Sequence, residues 1–381
     1  WRGSDGVRVR KSFRLIADAE RHLRQIKDSV ESGAYVTPKT IPMFHQVAEE
    51  WFKEKTLGVG CKRAPRPVTL QGWRIHLDRH LLPHLGEKRL DAISERTMAR
   101  VRDVLVESGL GAKTINKVLV TAASVFRLAV KRRYCHRNSA AETDRLGLAD
   151  IEITEESGSQ RNGFVSESDV LAPEEMKSLA KQCAEDLYGT LILTGLLTGA
   201  RHDELLALKW PSVELDAGKI WIRESLTWAR LKGEEFTERW RFYPPKTRAG
   251  QRCIPIPPEI VSRLKAWKLK CPPTKLDLVF PGPDGNPMRR HHSLRVGLHP
   301  LLRRAGLRQV HFHSLRHSFA SAMILAGSPI TEVAGVLGHS SPQTTLSIYS
   351  HWFQSVQTSS VSKLAANILE GEEEKRQVSG G

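Results

Sequence analysis

No apolar run in the sequence approaches the roughly 20 residues that a membrane-crossing helix needs. The longest such stretches, Leu191–Leu197 among them, are far shorter. Nothing at the start has the basic, apolar, small-residue order of a secretory signal. Cysteine is scarce: Cys61, Cys135, Cys183, Cys253 and Cys271 are scattered, odd in number and contain no CxxC. That pattern argues against a disulfide framework and a zinc ribbon, and a reducing cytoplasm is the expected compartment. No Asp/Glu/His cluster has metal-ligand spacing, so neither metal nor other cofactor is expected. Internal repeats are lacking too. The first residue is Trp1 rather than Met, so residues upstream of it are expected.

Positive charge is in excess. Lys and Arg number 58 against 42 Asp and Glu, a net +16. Residues 1–146 hold 29 basic and 16 acidic residues, a balance of +13, while the other 235 hold 29 and 26, only +3. Such a balance points to a polyanionic partner. The basic residues spread over whole helices instead of forming one amphipathic anchor, which favours nucleic acid over a membrane.

A chain of 381 residues exceeds the usual single core, so two or three domains are expected. Residues 1–40 carry a basic strand-like stretch at Val7–Phe13, a helical pattern over Ala17–Val30 and a turn at Ser32-Gly33. Residues 41–146 read as nearly all helix. In Ala112–Arg133 the apolar residues Ile115, Val118, Leu119, Ala122, Val125, Phe126 and Ala129 recur at helical spacing. Lys62, Arg63 and Arg66 in the Gly58–Pro67 loop, Lys113, and Lys131-Arg132-Arg133 are suited to phosphates, which fix a protein on a duplex without reading its sequence. Residues 147–169 are polar, aperiodic and linker-like. A mixed region follows over 170–356, with helices predicted from Pro173 to Ile348 and strands at Lys219–Arg223, Glu238–Tyr243, Arg252–Pro255 and Leu278–Phe280. Residues 357–381 form a tail. The fold class is therefore mainly α with small β elements: a helical domain, then a mixed α/β domain, preceded by a partial α+β module.

Five short segments carry chemistry. His313, Arg316 and His317 stand at i, i+3 and i+4 of a predicted helix and share one face, with Leu315, Phe319, Ala322 and Ala326 on another. An Arg held beside a His grips a phosphoryl group well, because its planar fork donates two hydrogen bonds. Arg201 opens a helix in Thr198–Trp210, where backbone N–H groups also favour an anion. Lys246 lies at a predicted hairpin tip between Arg239–Tyr243 and Arg252–Ile256. Gly338 stops a helix in Leu337-Gly338-His339, and ten residues later comes Tyr349, one of only five tyrosines. Each fragment alone reads as ordinary surface or packing.

In order and context, Arg201, Lys246, His313-x-x-Arg316, Leu-Gly-His339 and Tyr349 resemble the signature of the tyrosine recombinase/integrase family. The resemblance covers about 170–352 and extends more loosely to 41–146, similar to that family's helical core-binding domain. Residues 1–40 look like the end of an arm-type DNA-binding module. The resemblance implies a catalytic domain that cuts and rejoins double-stranded DNA without metal, as a homotetramer on core-type and arm-type sites, with DNA-bending accessory proteins as further partners, in a bacterial cytoplasm. It implies that Tyr349 attacks phosphorus and leaves a 3′-phosphotyrosine. Arg201 and Arg316 would stabilise the non-bridging oxygens, His313 would bind the phosphate and help take the tyrosine proton, and Lys246 would protonate the leaving 5′-oxygen. His339 would add a hydrogen bond, with His317, His351 and Glu204 in support. Type IB topoisomerases share this chemistry, and an idle DNA-binding regulator could share the fold. The helical domain, the Leu-Gly-His339 motif and the filled catalytic positions favour recombination.

Overall fold

The computed structural model describes residues 12–31, 41–147, 169–184, 186, 188–228 and 240–350. Most of the Val7–Phe13 stretch, the Ser32-Gly33 turn, nearly all of the 147–169 segment, the tail and His351 lie outside these residues. The chain divides into two compact units, one drawn chiefly from Trp1–Gly158 and the other from Ser159–Trp228 and Phe236–Gly381.

In the first unit α1 spans Ile16–Glu31, α2 Phe44–Thr56, α3 Pro67–Ile75, α4 Glu95–Glu107 and α5 Ala112–Lys131. Pro67 at the first turn of α3 costs no hydrogen bond, and the Ser94 hydroxyl caps α4 by accepting from the Thr97 N–H. All seven apolar residues of α5 named above are fully buried. They pack in one core with Phe44, Val47, Ala48 and Trp51 of α2, which repeat at i, i+3, i+4 and i+7. The Trp51 indole N–H bonds Ser124 Oγ at 3.0 Å, so this large ring is buried without an orphaned donor.

The second unit is built round α7 (Gly189–Thr198), which follows α6 (Pro173–Gln182). Almost every residue of α7 is buried, as a helix apolar all round requires. The short α8 (His202–Leu206) leads into β1 (Val213–Glu214), β2 (Lys219–Ile222), β3 (Ser225–Trp228), β4 (Trp240–Tyr243) and β5 (Arg252–Pro255). Then come α9 (Pro258–Lys270), α10 (His299–Arg304), α11 (Phe312–Leu325), α12 (Ile330–Leu337) and α13, a helix over 342–350. Helix α7 packs against both α9 and α11.

Three expectations change. First, β4 pairs with β3 while β5 joins the antiparallel sheet β1-β2-β5, so 245–250 crosses between two sheets and is no hairpin tip. The register sets Ile220 opposite Ile254 in the core, whereas the aromatic β4 finds its match in Leu226 and Trp228 of β3. Second, Leu278–Phe280 makes only a single bridge, from Leu278 to Lys209. Those three residues are buried core residues, and a short apolar run reads the same whether it is strand or packed loop. Third, Ala326 is exposed, because α11 ends at Leu325; of the expected face Leu315 is buried and Phe319 half-buried, and Ala320 and Ile324 supply the remaining buried apolar contacts.

Candidate active site

Helix α7 ends at Gly199, whose φ of +60° is left-handed. A Cβ there would lie 2.4 Å from the Phe319 ring, so glycine is required on both counts. The turn delivers Arg201 as the N-cap of α8. The Glu204 carboxylate reaches back to this N-cap: Oε2 accepts from the Arg201 backbone N–H at 2.9 Å and Oε1 from Arg201 Nη1 at 2.8 Å. The five-residue helix thus has its own acid at its start and offers no open anion site; the Arg201 side chain does, being 38% exposed. Glu204 is buried, which by itself raises a carboxyl pKa, but hydrogen bonds and charge from Arg252, with the charge and backbone N–H of Arg201, hold it below the ordinary range.

Helix α11 places His313, Arg316 and His317 together, as their spacing requires. Arg316 is 2% exposed and donates from Nη1 to the Gly199 carbonyl at 2.8 Å and from Nη2 to the Leu337 carbonyl at 2.7 Å. Burial, and repulsion from Arg201, push its pKa down to about 9, so it keeps its charge at neutral pH. Nη2 also lies 3.0 Å from His339 Nε2. Desolvation and the neighbouring Arg316, Arg201 and Arg252 hold His339 down at about 3, hence neutral. Since Arg316 can only donate, Nε2 accepts, and the ring proton on Nδ1 goes to Thr345 Oγ1 at 2.8 Å.

The C-terminus of α12 organises these cations. Gly338, with φ of +68°, closes the helix. The Val336 carbonyl accepts from Arg252 Nε at 2.6 Å and the Leu337 carbonyl from Arg316. The Gly338 carbonyl faces Arg201 Nη2 more loosely, at 3.5 Å. Three consecutive carbonyls thus face three arginines, satisfying helix-end acceptors and using the negative end of the helix dipole.

Tyr349 lies on α13 and is 1% exposed, packed with Val170, Ala320, Ile324, Val333 and Leu337. Its hydroxyl is 2.6 Å from His317 Nδ1. Burial raises the phenol pKa above its ordinary value despite the opposing pull of Arg316. Burial, aided by His313, Arg316 and His339, lowers His317 to about 3. The pair is therefore neutral. The ring at the Tyr349 hydroxyl is His317, whereas His313 sits against His317, edge to face at 4.6 Å between centroids. Desolvation by surrounding protein, with Arg316, Arg201 and Arg290 nearby, lowers His313 to about 4 although its side chain reaches solvent.

Lys246 is exposed on the segment between β4 and β5, which Arg252 Nη1 ties to the site through the Gly250 carbonyl at 3.2 Å. In the first unit Lys62, Arg63, Lys113, Lys131 and Arg133 are exposed, and Arg66 is the half-buried N-cap of α3. Arg132 is exposed too, but is engaged by Glu50 at 2.9 Å and Glu54 at 2.7 Å. Among the described residues no group of three His, Cys, Asp or Glu side chains is arranged to hold a metal.

Sequence reasoning missed Arg252 and Thr345. Arg252 carried a signal: Arg252, Ile254 and Ile256 alternate on the buried face of a strand-like run, so a charge stands at an inward position. Thr345 carried none, since its role depends on where α13 packs.

The chain matches two family models, the phage integrase family over residues 169–355 and the phage integrase central domain over 44–145. It is 24% identical to the ICEBs1 integrase of Bacillus subtilis (strain 168) over 315 residues, 80% of this chain and 79% of that one. It is 26% identical to the prophage integrase IntR of Escherichia coli (strain K12) over 379 residues, 91% and 85% of the two chains. Among solved structures, the Tn1549 transposon integrase in complex with transposon right end DNA superposes with a TM-score of 0.67 at 19% identity, over 85% of this chain and all of that one. A lambda integrase tetramer bound to a Holliday junction gives 0.54 at 16% identity, over 90% and 93%. With a mainly helical two-unit fold, and with the two models together matching most of it, the chain belongs to the phage integrase family of tyrosine recombinases.

Proposed function

We propose that the protein is a site-specific DNA recombinase that integrates or excises a mobile element through a covalent bond between Tyr349 and DNA. One observation carries this reading. Arg201, Arg316 and His339, far apart in sequence, converge on the end of one helix, and the residue after Arg316 holds the Tyr349 hydroxyl. A phosphate in that cluster has a cation for each non-bridging oxygen, the role a metal fills in many phosphoryl-transfer enzymes.

Tyr349 Oη attacks phosphorus as the bond to O5′ breaks. The strand is left joined to the enzyme as a 3′-phosphotyrosine, and the bond energy is retained for rejoining. The phenol proton passes to His313, and Lys246 protonates O5′ as it leaves. Attack requires Tyr349 to leave His317, because in the free protein its hydroxyl is buried and bonded to that ring. His339 must likewise reorient to donate, since its Nε2 accepts from Arg316. Glu204 supports Arg201 and performs no chemistry.

The helical unit grips core-type DNA through phosphate contacts from Lys62, Arg63, Arg66, Lys113, Lys131, Arg132 and Arg133, with residues 1–40 reserved for arm-type sites. The active assembly is a homotetramer on two duplexes, assisted by DNA-bending proteins, in the bacterial cytoplasm. The test is to incubate the protein with genomic fragments spanning the element's junctions, denature, recover covalent complexes and sequence the DNA. Adducts that cluster at one short site and vanish in Tyr349→Phe support the reading; adducts that persist in the variant, or none from the unaltered protein, refute it.

A further inference from the structure

We propose that Arg252, which is no part of the catalytic signature, is a positioning residue for cleavage: it holds Glu204 and the end of α12 so that Arg201 and Arg316 keep N–H groups free for the phosphate. The inference rests on the phosphate-binding roles proposed above for those two arginines.

Arg252 opens β5 opposite Ile222 and is 8% exposed. Its fork touches three stretches of chain that carry site residues. Nη1 and Nη2 bond the Glu204 carboxylate at 3.2 and 2.9 Å, next to Arg201. Nε takes the Val336 carbonyl at 2.6 Å, just before the Gly338-His339 turn. Nη1 also takes the Gly250 carbonyl on the segment bearing Lys246. The fit round the turn is close: a Cβ on Gly338 would lie 2.8 Å from Arg252 Nη1 and 3.0 Å from its Cδ.

Competition for Glu204 makes the position matter. A carboxylate offers about four lone-pair sites. Here Oε1 accepts from Arg201 Nη1 and Arg252 Nη1, and Oε2 from the Arg201 backbone N–H and Arg252 Nη2. Arg201 therefore commits one side-chain nitrogen to Glu204, and Nη2 faces the Gly338 carbonyl only loosely at 3.5 Å, so the fork can still turn to a ligand. Without Arg252 the buried carboxylate loses two donors, and Arg201 is the cation beside it. A bidentate Arg201–Glu204 pair would then form and withdraw the fork from the phosphate. The charges agree. Arg201, Arg252 and Arg316 against Glu204 leave a net +2 for a phosphate whose charge grows in the transition state.

The test compares Arg252→Lys with the unaltered protein on a nicked duplex of the core site recovered by trapping, made with an ordinary scissile phosphate or with a methylphosphonate. The methyl group removes one charged oxygen and with it part of the demand on Arg201 and Arg316. The lysine variant is expected to bind the duplex normally and to cleave the phosphate more slowly by on the order of 100-fold, the cost of a small misplacement of catalytic groups. Its deficit on the methylphosphonate is expected to be several-fold smaller. Cleavage at the unaltered rate, or an equal deficit on both substrates, overturns the proposal. Should thermal melting show that Arg252→Lys does not fold, Arg252→Gln, which keeps the Glu204 carboxylate and an amide donor beside it, is measured under the same criterion. Absence of a Tyr349-dependent adduct from the unaltered protein would instead refute the reading of the site, and the role of Arg252 with it.

Discussion

Tyr349→Phe removes one oxygen from the centre of the second unit, and the structure sets the size of each consequence. The ring stays in its apolar nest among Ala320, Ile324, Val333 and Leu337, so packing is preserved. What is lost is the hydrogen bond to His317 Nδ1 at 2.6 Å. Both partners are buried. The expected cost is about 1 kcal/mol, the usual net worth of a buried hydrogen bond. Denaturant unfolding of the free protein measures it as a lowered midpoint with unchanged slope. His317→Leu removes the other partner, and the double variant should not be destabilised by the sum of the two. A coupling of about 1 kcal/mol is expected from the cycle. DNA affinity should match the unaltered protein, since the hydroxyl is buried and bonded to His317 in the free protein.

The covalent readout is all or none. Phenylalanine cannot attack phosphorus, so denaturing gels of the variant on a nicked substrate should show no protein–DNA band. Additive destabilisation in the cycle would mean that Tyr349 and His317 do not interact in solution. A surviving band would mean that another residue is the nucleophile.

Lys246→Ala should slow cleavage of an ordinary phosphate by on the order of 10²–10⁴-fold, the usual range for a lost general acid, yet cleave a 5′-bridging phosphorothiolate almost normally, because a thiolate leaves unprotonated. Equal slowing on both substrates would remove Lys246 from that role. Cleavage should survive EDTA, since Arg201 and Arg316 supply the charge that a metal would otherwise supply; loss on chelation would refute this. Lys131→Ala should lower the slope of log affinity against log salt by about 1 without changing which site is cleaved, and an unchanged slope would take that residue off the phosphate backbone. Acid should destabilise the free protein early: His202, His317 and His339 are lowered to about 3, well below the 6.5 of a free imidazole. The unfolded chain binds protons that the fold refuses, so stability is complete above about pH 6.5 and falls towards pH 3, by up to about 1.4 kcal/mol per pH unit for each such proton. Unfolding midpoints that stay flat between pH 6.5 and 4 would contradict that.

Much of the fold was legible because a helix announces itself by a periodicity that needs no partner. The seven apolar residues of α5 name their own buried face, and Gly199 and Gly338 mark helix ends that only a left-handed residue closes. Strand pairing has no such local sign. Nothing within 238–256 says that β4 joins β3 while β5 joins β2, so Lys246 was placed on a hairpin that does not form. The site divides along the same line. Arg201, His313, Arg316 and His339 were visible as motifs, and the geometry gathers them. The partners that hold them were not, because Val336, Leu337 and Gly338 act through backbone carbonyls, which every residue has. The exception is instructive. Arg252 was passed over although it stands as a cation at the inward phase of an apolar alternation, and an arginine is kept there only if something buried needs all of its fork. That something is Glu204, an acid within the Arg201 motif that would otherwise take Arg201 for itself. A charged residue on the apolar phase of a strand therefore points here to the electrostatics of a site elsewhere in the sequence, and the strand's own packing does not account for it.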